Sequence, residues 1–199
     1  MAADGGLAYL EQLHVLPDYI VGDFDSLGYQ PQGDCVAVYP VEKDDTDLLL
    51  AVKYGLRAGI QTFRIYGGLG GRVSHTMANI QVLQFLSSQG CHGVLVDGSS
   101  ILTAIHQERL IVEDSARGML SLFALGGAAA HVTIRNLKYC VEDVRLTPDY
   151  PLGVSNEFIG KEAEISVQDG TLLVVWEHEA SDFEKLHFDK LPCEAECNL

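Results

Sequence analysis

Three short apolar runs in the first half of the chain each end in a polar loop of unusual chemistry. Residues 19–21, 35–41 and 62–66 read as strands. The loops behind them are Gly22-Asp23-Phe24-Asp25-Ser26, Lys43-Asp44-Asp45-Thr46-Asp47 and Gly67-Gly68-Leu69-Gly70-Gly71-Arg72. Helical periodicity fills the intervals. Leu7, Leu10 and Leu13, three apart, predict an amphipathic helix opening after Asp4-Gly5-Gly6. Leu48, Ala51, Val52 and Leu56 predict a second over residues 48–56, stopped by Gly59. Ser74 is expected to cap a third, through Met77, Ile80, Leu83 and Leu86, closed by Gly90. Residues 93–97 complete the pattern as a fourth strand. Strands alternating with helices imply a parallel sheet covered on both faces.

Beyond Asp97 the pattern changes. Residues 101–105, 110–113, 119–125, 130–134, 162–167 and 171–176 are short strand candidates with no long helix among them. Asp169-Gly170 between two of them predicts a hairpin. This half is expected to be an all-β sandwich. Residues 181–199 read as a polar tail or small appended helix. The expected division is 1–98, 99–180 and a tail over 181–199.

Function classes narrow with charge and cysteine content. A formal net charge of -15 on 199 residues argues against nucleic-acid binding and against an anionic membrane surface. Five scattered cysteines are no disulfide framework and suit a reducing compartment. Cys193 and Cys197 form only a weak metal pattern. No apolar run is long enough to span a bilayer and no signal-peptide pattern opens the chain, so a cytoplasmic protein is expected.

In an open parallel sheet the carboxyl ends of the strands share one edge, where ligands bind. The three loops are therefore expected to converge on one crevice. Asp23 and Asp25 alternate after a strand. Asp44 and Asp47 are three apart at a helix start and can share a face. Such carboxylates repel unless a cation joins them, and hard oxygen ligands suit Mg²⁺. The glycines would let backbone N–H groups approach phosphate oxygens, with Arg72 as a clamp. Each piece has a plainer reading. An Asp-x-Asp after a strand is often a turn, Asp44 and Asp47 are favourable charges at a helix start, glycine turns are common, and His75 fits a first helical turn. The glycine turn is not a Walker A loop, since the Gly-Lys-Ser/Thr ending is absent. Together the three point to metal-assisted phosphoryl transfer.

At these residues, with Ala3-Asp4-Gly5-Gly6, residues 67–75 and Ser155-Asn156-Glu157, the chain resembles the thiamine pyrophosphokinase family over about residues 2–178. The resemblance implies a Rossmann-like nucleotide domain, then a β-sandwich that binds thiamine and makes a homodimer with thiamine at the subunit interface. The family's first strand and glycine turn have no counterpart before Ala3. The implied reaction carries pyrophosphate from ATP to thiamine, with Mg²⁺ as cofactor. Asp23, Asp25 and Asp47 would hold the metal and, with Arg72, act in catalysis. Asp4, Ser26, Asp44, Thr46, Gly68, Gly71, Arg72 and His75 would serve the ATP site, and Lys43, Ser155 and Asn156 the thiamine site. Ser74 stands where the family has an aspartate. Rival readings are a transferase acting on another heterocyclic alcohol and a non-catalytic thiamine or nucleotide sensor.

Overall fold

The computed structural model describes residues 1–178 and 180–191. The fold is mixed α/β, with three α-helices, one short 3-10 helix and several sheets among the described residues. Two compact units divide it, Met1–Gln61 and Thr62–Leu199.

The first unit holds β1 (Ala2–Ala3), α1 (Gly6–Gln12), β2 (Ile20–Gly22), β3 (Val36–Val38) and α2 (Asp47–Arg57). The three strands are parallel, in the order β1-β2-β3, with Val21 opposite both Ala3 and Ala37. The helix α1 is only seven residues long, so its buried contact is Leu7, and Leu13 at its C-cap is 70% exposed. The three-leucine face is thus cut short. The helix α2 starts where Thr46 Oγ1 accepts the Leu49 N–H at 3.3 Å, satisfying a donor that the first turn leaves free. It stops at Gly59 (φ +83). There the N–H of Gly59 reaches Leu56 O and that of Ile60 reaches Gly55 O, each at 3.0 Å. That pair of bonds needs a left-handed residue, which glycine supplies without strain.

The second unit begins with β4 (Thr62–Tyr66), α3 (Val73–Ser88), β5 (His92–Asp97) and β6 (Ser100–His106). There follow β7 (Glu108–Val112), β8 (Met119–Ala124), β9 (Ala129–Arg135), β10 (Val141–Leu146) and β11 (Asn156–Glu157). The last strands are β12 (Ala163–Ser166), β13 (Thr171–Glu177) and β14 (Leu186–Lys190). Six strands form one sheet, β11-β8-β13-β6-β5-β4, in which only β4 and β5 run parallel. Five form an antiparallel sheet, β10-β9-β12-β7-β14. The larger sheet passes straight through residue 98, because β5 and β6 pair as a hairpin, with Asp97 opposite Ser100.

Alternation along the strands builds the core. Leu172, Val174 and Trp176 of β13 share one face and join Ile101, Ile105, Leu120 and Leu122. Leu110, Val112, Val132, Ile134 and Ile165 of the other sheet complete the same cluster. Trp176 is fully buried, and its Nε1–H donates to Arg117 O at 2.7 Å. The helix α3 packs on β5 and β6. Gly93 makes that approach possible, since a Cβ there would lie 2.6 Å from Leu86 Cδ1.

Four expectations are corrected. Asp169-Gly170 is not a hairpin turn. The strand before it pairs with β7 and β9 and the strand after it with β6 and β8, so the turn carries the chain from one sheet to the other. Gly170 (φ +87) supplies the reversal, but the buried faces on either side choose separate sheets. Residues 181–199, expected as a polar tail or small appended helix, do carry a short 3-10 helix over Ala180–Lys185 but also add a strand: Leu186 and Phe188 alternate toward the core, and β14 covers the edge of β7. Cys193 and Cys197 lie outside the described residues. Ser74 does not cap α3; Arg72 takes that position with an extended backbone (ψ 132°), and Ser74 falls inside the first turn. Finally, β10 escaped the strand reading. Two register shifts and a positive φ at Asp143 break its period-two pattern. No helix among the described residues is long and apolar enough to cross a membrane.

Candidate active site

The first unit gathers three carboxylates at the carboxyl edge of its parallel strands. Asp4 follows β1, Asp23 follows β2, and Asp47 opens α2 behind β3. One oxygen from each lies within 4.8 Å of the others. Local backbone geometry brings them in. Asp4 sits at φ +42, and its N–H donates to Val21 O at 2.8 Å. Gly22 lets Asp4 come this close, since a Cβ at residue 22 would stand 3.0 Å from Asp4 Cα and 3.2 Å from its Cβ. Phe24 takes φ +62 with its ring buried, while Asp25 is exposed.

Lys43 sits among the carboxylates. Its Nζ is 2.5 Å from Asp23 Oδ2 and 3.1 Å from Asp47 Oδ1. The Asp23 side chain is 9% exposed. Its bond from the Lys43 ammonium, aided by the Asp25 N–H at 3.2 Å, holds its carboxyl below the usual carboxylate range. Asp47 moves the other way. Burial raises it, the negative charges of Asp23 and Asp4 add to that, and Lys43 offsets the rise only in part. Burial alone would lower Lys43, but its two carboxylates outweigh burial and raise it. Ser26 Oγ donates to Asp4 Oδ2 at 2.8 Å. Asp4 Oδ1 and Asp47 Oδ1 are both buried without a hydrogen-bond partner among the described residues; Asp47 Oδ1 has only the ion-pair contact with Lys43. A buried, unsatisfied carboxylate oxygen is costly, and a hard cation would satisfy it. The donor set therefore fits Mg²⁺, which takes oxygen ligands and keeps some waters.

The other expected residues of this unit stand apart from that trio. Asp25 is not one of the three; it is exposed and reaches Asp23 through its backbone N–H at 3.2 Å and its side chain. Asp44 is exposed, and Thr46 is occupied as the α2 cap. Asp45 pairs with Lys53 at 2.6 Å. Asp4, assigned by resemblance to the ATP site in support of the metal cluster, stands directly in the trio. Its place directly behind β1, beside two glycines, was the available signal.

In the second unit the glycine turn joins β4 to α3. Gly67 and Gly70 take positive φ (72° and 81°). Gly68 packs so tightly that a Cβ would meet Leu95 Cδ2 at 2.5 Å, and Asn79 Nδ2 donates to Gly68 O at 2.7 Å. Gly71, Arg72 and His75 are exposed at the start of α3. Asp97, unremarked in the sequence, closes β5 with its carboxylate beside Gly70.

Ser155 and Asn156 lie at the start of β11. Ser155 adopts φ +61, and its N–H donates to Ser121 Oγ at 3.0 Å. The Asn156 side chain is committed to backbone. Its Oδ1 accepts the N–H groups of Tyr139 and Glu157, both at 2.9 Å, and its Nδ2 donates to Tyr139 O at 2.7 Å. It helps line a small, mainly apolar pocket of about 100 Å³ with Ile134, Tyr139, Leu146 and Leu152.

Parallel strands that bring three carboxylates to their shared edge define a candidate divalent-cation site of the kind phosphoryl-transfer enzymes use. Comparison with known proteins carries this further. Residues 1–95 match the family model "Thiamin pyrophosphokinase, catalytic domain", and residues 108–172 match "Thiamin pyrophosphokinase, vitamin B1 binding domain". The chain belongs to the thiamin pyrophosphokinase family. It is 26% identical to a thiamine pyrophosphokinase of Bacillus subtilis (strain 168) over 182 residues, 88% of this chain and 85% of that one. Thiamine pyrophosphokinase 1 of Oryza sativa subsp. japonica is 29% identical over 155 residues, 70% of this chain and 58% of that one. The solved thiamine pyrophosphokinase of Bacillus subtilis superposes with a TM-score of 0.77 at 25% identity, covering 88% of this chain and 85% of that chain. The thiamin pyrophosphokinase of Candida albicans shares the fold, with a TM-score of 0.71 at 16% identity and coverage of 87% and 79%.

Proposed function

We propose that this chain catalyses the thiamine pyrophosphokinase reaction: thiamine and ATP give thiamine diphosphate and AMP. The observation that carries the proposal is the Asp4–Asp23–Asp47 trio with its two unsatisfied oxygens, in a chain whose two family matches follow one another in sequence. The thiamine hydroxyl oxygen attacks the β-phosphorus of ATP. The bond from that phosphorus to the oxygen bridging to the α-phosphate breaks, and AMP leaves with its electron pair. The hydroxyl proton passes to a base.

Asp23 and Asp47, with Asp4 beside them, would hold Mg²⁺, and Asp25 would support the same ion from the exposed side of its loop. When bound, Mg²⁺ supplies charge neutralisation on the triphosphate. Ser26 fixes Asp4, which keeps the trio's geometry. Gly68, Gly71, Arg72 and His75 are assigned to ATP, as are Asp44 and Thr46. Arg72 offers the planar fork suited to phosphate oxygens. Lys43, Ser155 and Asn156 are assigned to thiamine; Asn156 would act mainly by holding the Tyr139 backbone that lines the pocket. Positioning of two bound substrates can lower such a barrier by roughly 7–11 kcal/mol. The finer architecture belongs to the same proposal: a Rossmann-like catalytic part over 1–98, a β-sandwich over 99–180, a homodimer and a cytoplasmic location.

The test is mass spectrometry of products after incubation with thiamine, ATP and Mg²⁺. Equal amounts of thiamine diphosphate and AMP are expected. Thiamine-independent AMP, ADP with thiamine monophosphate, or ligand binding without turnover would each overturn the assignment.

A further inference from the structure

The ammonium of Lys43 lies against two carboxylates of the trio. It reaches Asp23 Oδ2 at 2.5 Å and Asp47 Oδ1 at 3.1 Å, and its side chain is only 13% exposed. A magnesium ion binds oxygen at about 2.0–2.1 Å, so ligand oxygens on opposite sides of it stand about 4 Å apart. The trio, within 4.8 Å, already has nearly that spacing. An ammonium this close to Asp23 Oδ2 and Asp47 Oδ1 competes with a metal for the same two carboxylates.

We infer that Lys43 is a tethered stand-in for the metal: it bridges Asp23 and Asp47 beside Asp4 in the cation-free enzyme and is displaced when a divalent cation enters. Three observations support the exchange. Three carboxylates packed this closely would repel one another without a positive charge among them. Asp4 Oδ1 receives nothing from the lysine, so the stand-in satisfies the trio incompletely and a cation has something to gain. Lys43 lies in the loop between β3 and α2, outside any regular element, on a long flexible stem that can swing aside. Displacement frees an ammonium at the site as the metal arrives, available to an anionic ligand. Lys43 is then a positioning residue whose effect on metal affinity opposes its effect on structure.

This inference rests on the proposed cation site, and the experiment separates the two. Mn²⁺ alone is titrated into the full chain without nucleotide or thiamine, with binding read by electron paramagnetic resonance. Thermal unfolding is followed in chelator and in excess Mg²⁺. For Lys43→Met, Mn²⁺ affinity is expected to rise at least tenfold over wild type. Its melting temperature should fall below wild type in chelator and recover in excess Mg²⁺. Lys43→Arg, which keeps the charge, should stay near wild type in chelator. Unchanged or weaker Mn²⁺ binding by Lys43→Met overturns the stand-in role, as does a chelator-insensitive stability. Wild type binding no Mn²⁺ while Lys43→Met binds it supports the role; neither binding it overturns both the role and the cation site. The thiamine reaction itself is judged separately by AMP formation.

Discussion

Replacing Asn156 by alanine removes three hydrogen bonds at once from a side chain that is only 5% exposed. Two of them serve Tyr139, whose N–H and C=O both lean on the same amide. A neutral hydrogen bond contributes about 1 kcal/mol net, and leaving a buried partner unsatisfied adds to the loss. The sum for Asn156→Ala is about 3 kcal/mol. For a chain of this size each kcal/mol moves the melting temperature by about 2–4 °C, so a fall of about 6–12 °C is expected. Asn156→Asp keeps the acceptor for both N–H groups but loses the donation to Tyr139 O, and should fall less. The assay is thermal unfolding of the full chain by circular dichroism, beside thiamine affinity by calorimetry. A melting temperature within about 2 °C of wild type would refute the reasoning. Lost thiamine affinity with unchanged stability would instead make Asn156 a direct ligand contact.

Asp47→Asn and Asp23→Asn should each lower thiamine-dependent AMP formation by at least a hundredfold while leaving the circular dichroism spectrum intact; near-normal turnover removes that residue from the cation site. Gly22→Ala forces a methyl group to 3.0 Å from the Asp4 backbone, so it should cost about 1–3 kcal/mol in denaturant unfolding and weaken Mn²⁺ binding in parallel. Asp182 gives a pH prediction. Burial opposes its charge, but its bonds from Lys185 and His178 win and hold its carboxyl below the usual range. A depressed carboxylate contributes stability above its unfolded pKa of about 3.9 and loses it as pH falls through the folded value. The stability gap between wild type and Asp182→Asn should therefore be full at pH 6 and shrink below about pH 4, as read from denaturant midpoints.

Helix ends and the early strands were the most legible parts of the chain. Thr62–Tyr66 matches its expected strand, and Gly59 and Gly90 close α2 and α3 as glycine stops should. The carboxylates were legible too, because loops after parallel strands gather at one edge. What escaped depended on distant partners. Nothing local around Asp169-Gly170 says that the strands on either side belong to different sheets. Leu186 and Phe188 look scattered until β7 supplies an open edge for them to cover. The left-handed backbone of Phe24, which leaves Asp25 exposed while its N–H still reaches Asp23, has no local sequence signal either. Lys43 is a bridge only when two carboxylates twenty residues and four residues away are brought to it.

The ladder between β5 and β6 has a consequence for how such a protein can be cut or rebuilt. The match to the first family model ends inside it, at residue 95, and the second begins after it, at residue 108, yet Val94 pairs with Thr103 and Val96 with Ile101. Fragments separated there would each carry a raw strand edge and could not be exchanged between relatives as independent cassettes. A tag or fluorescent reporter inserted near Ile60, between the last residue of α2 and the first of β4, would interrupt no strand pairing at all.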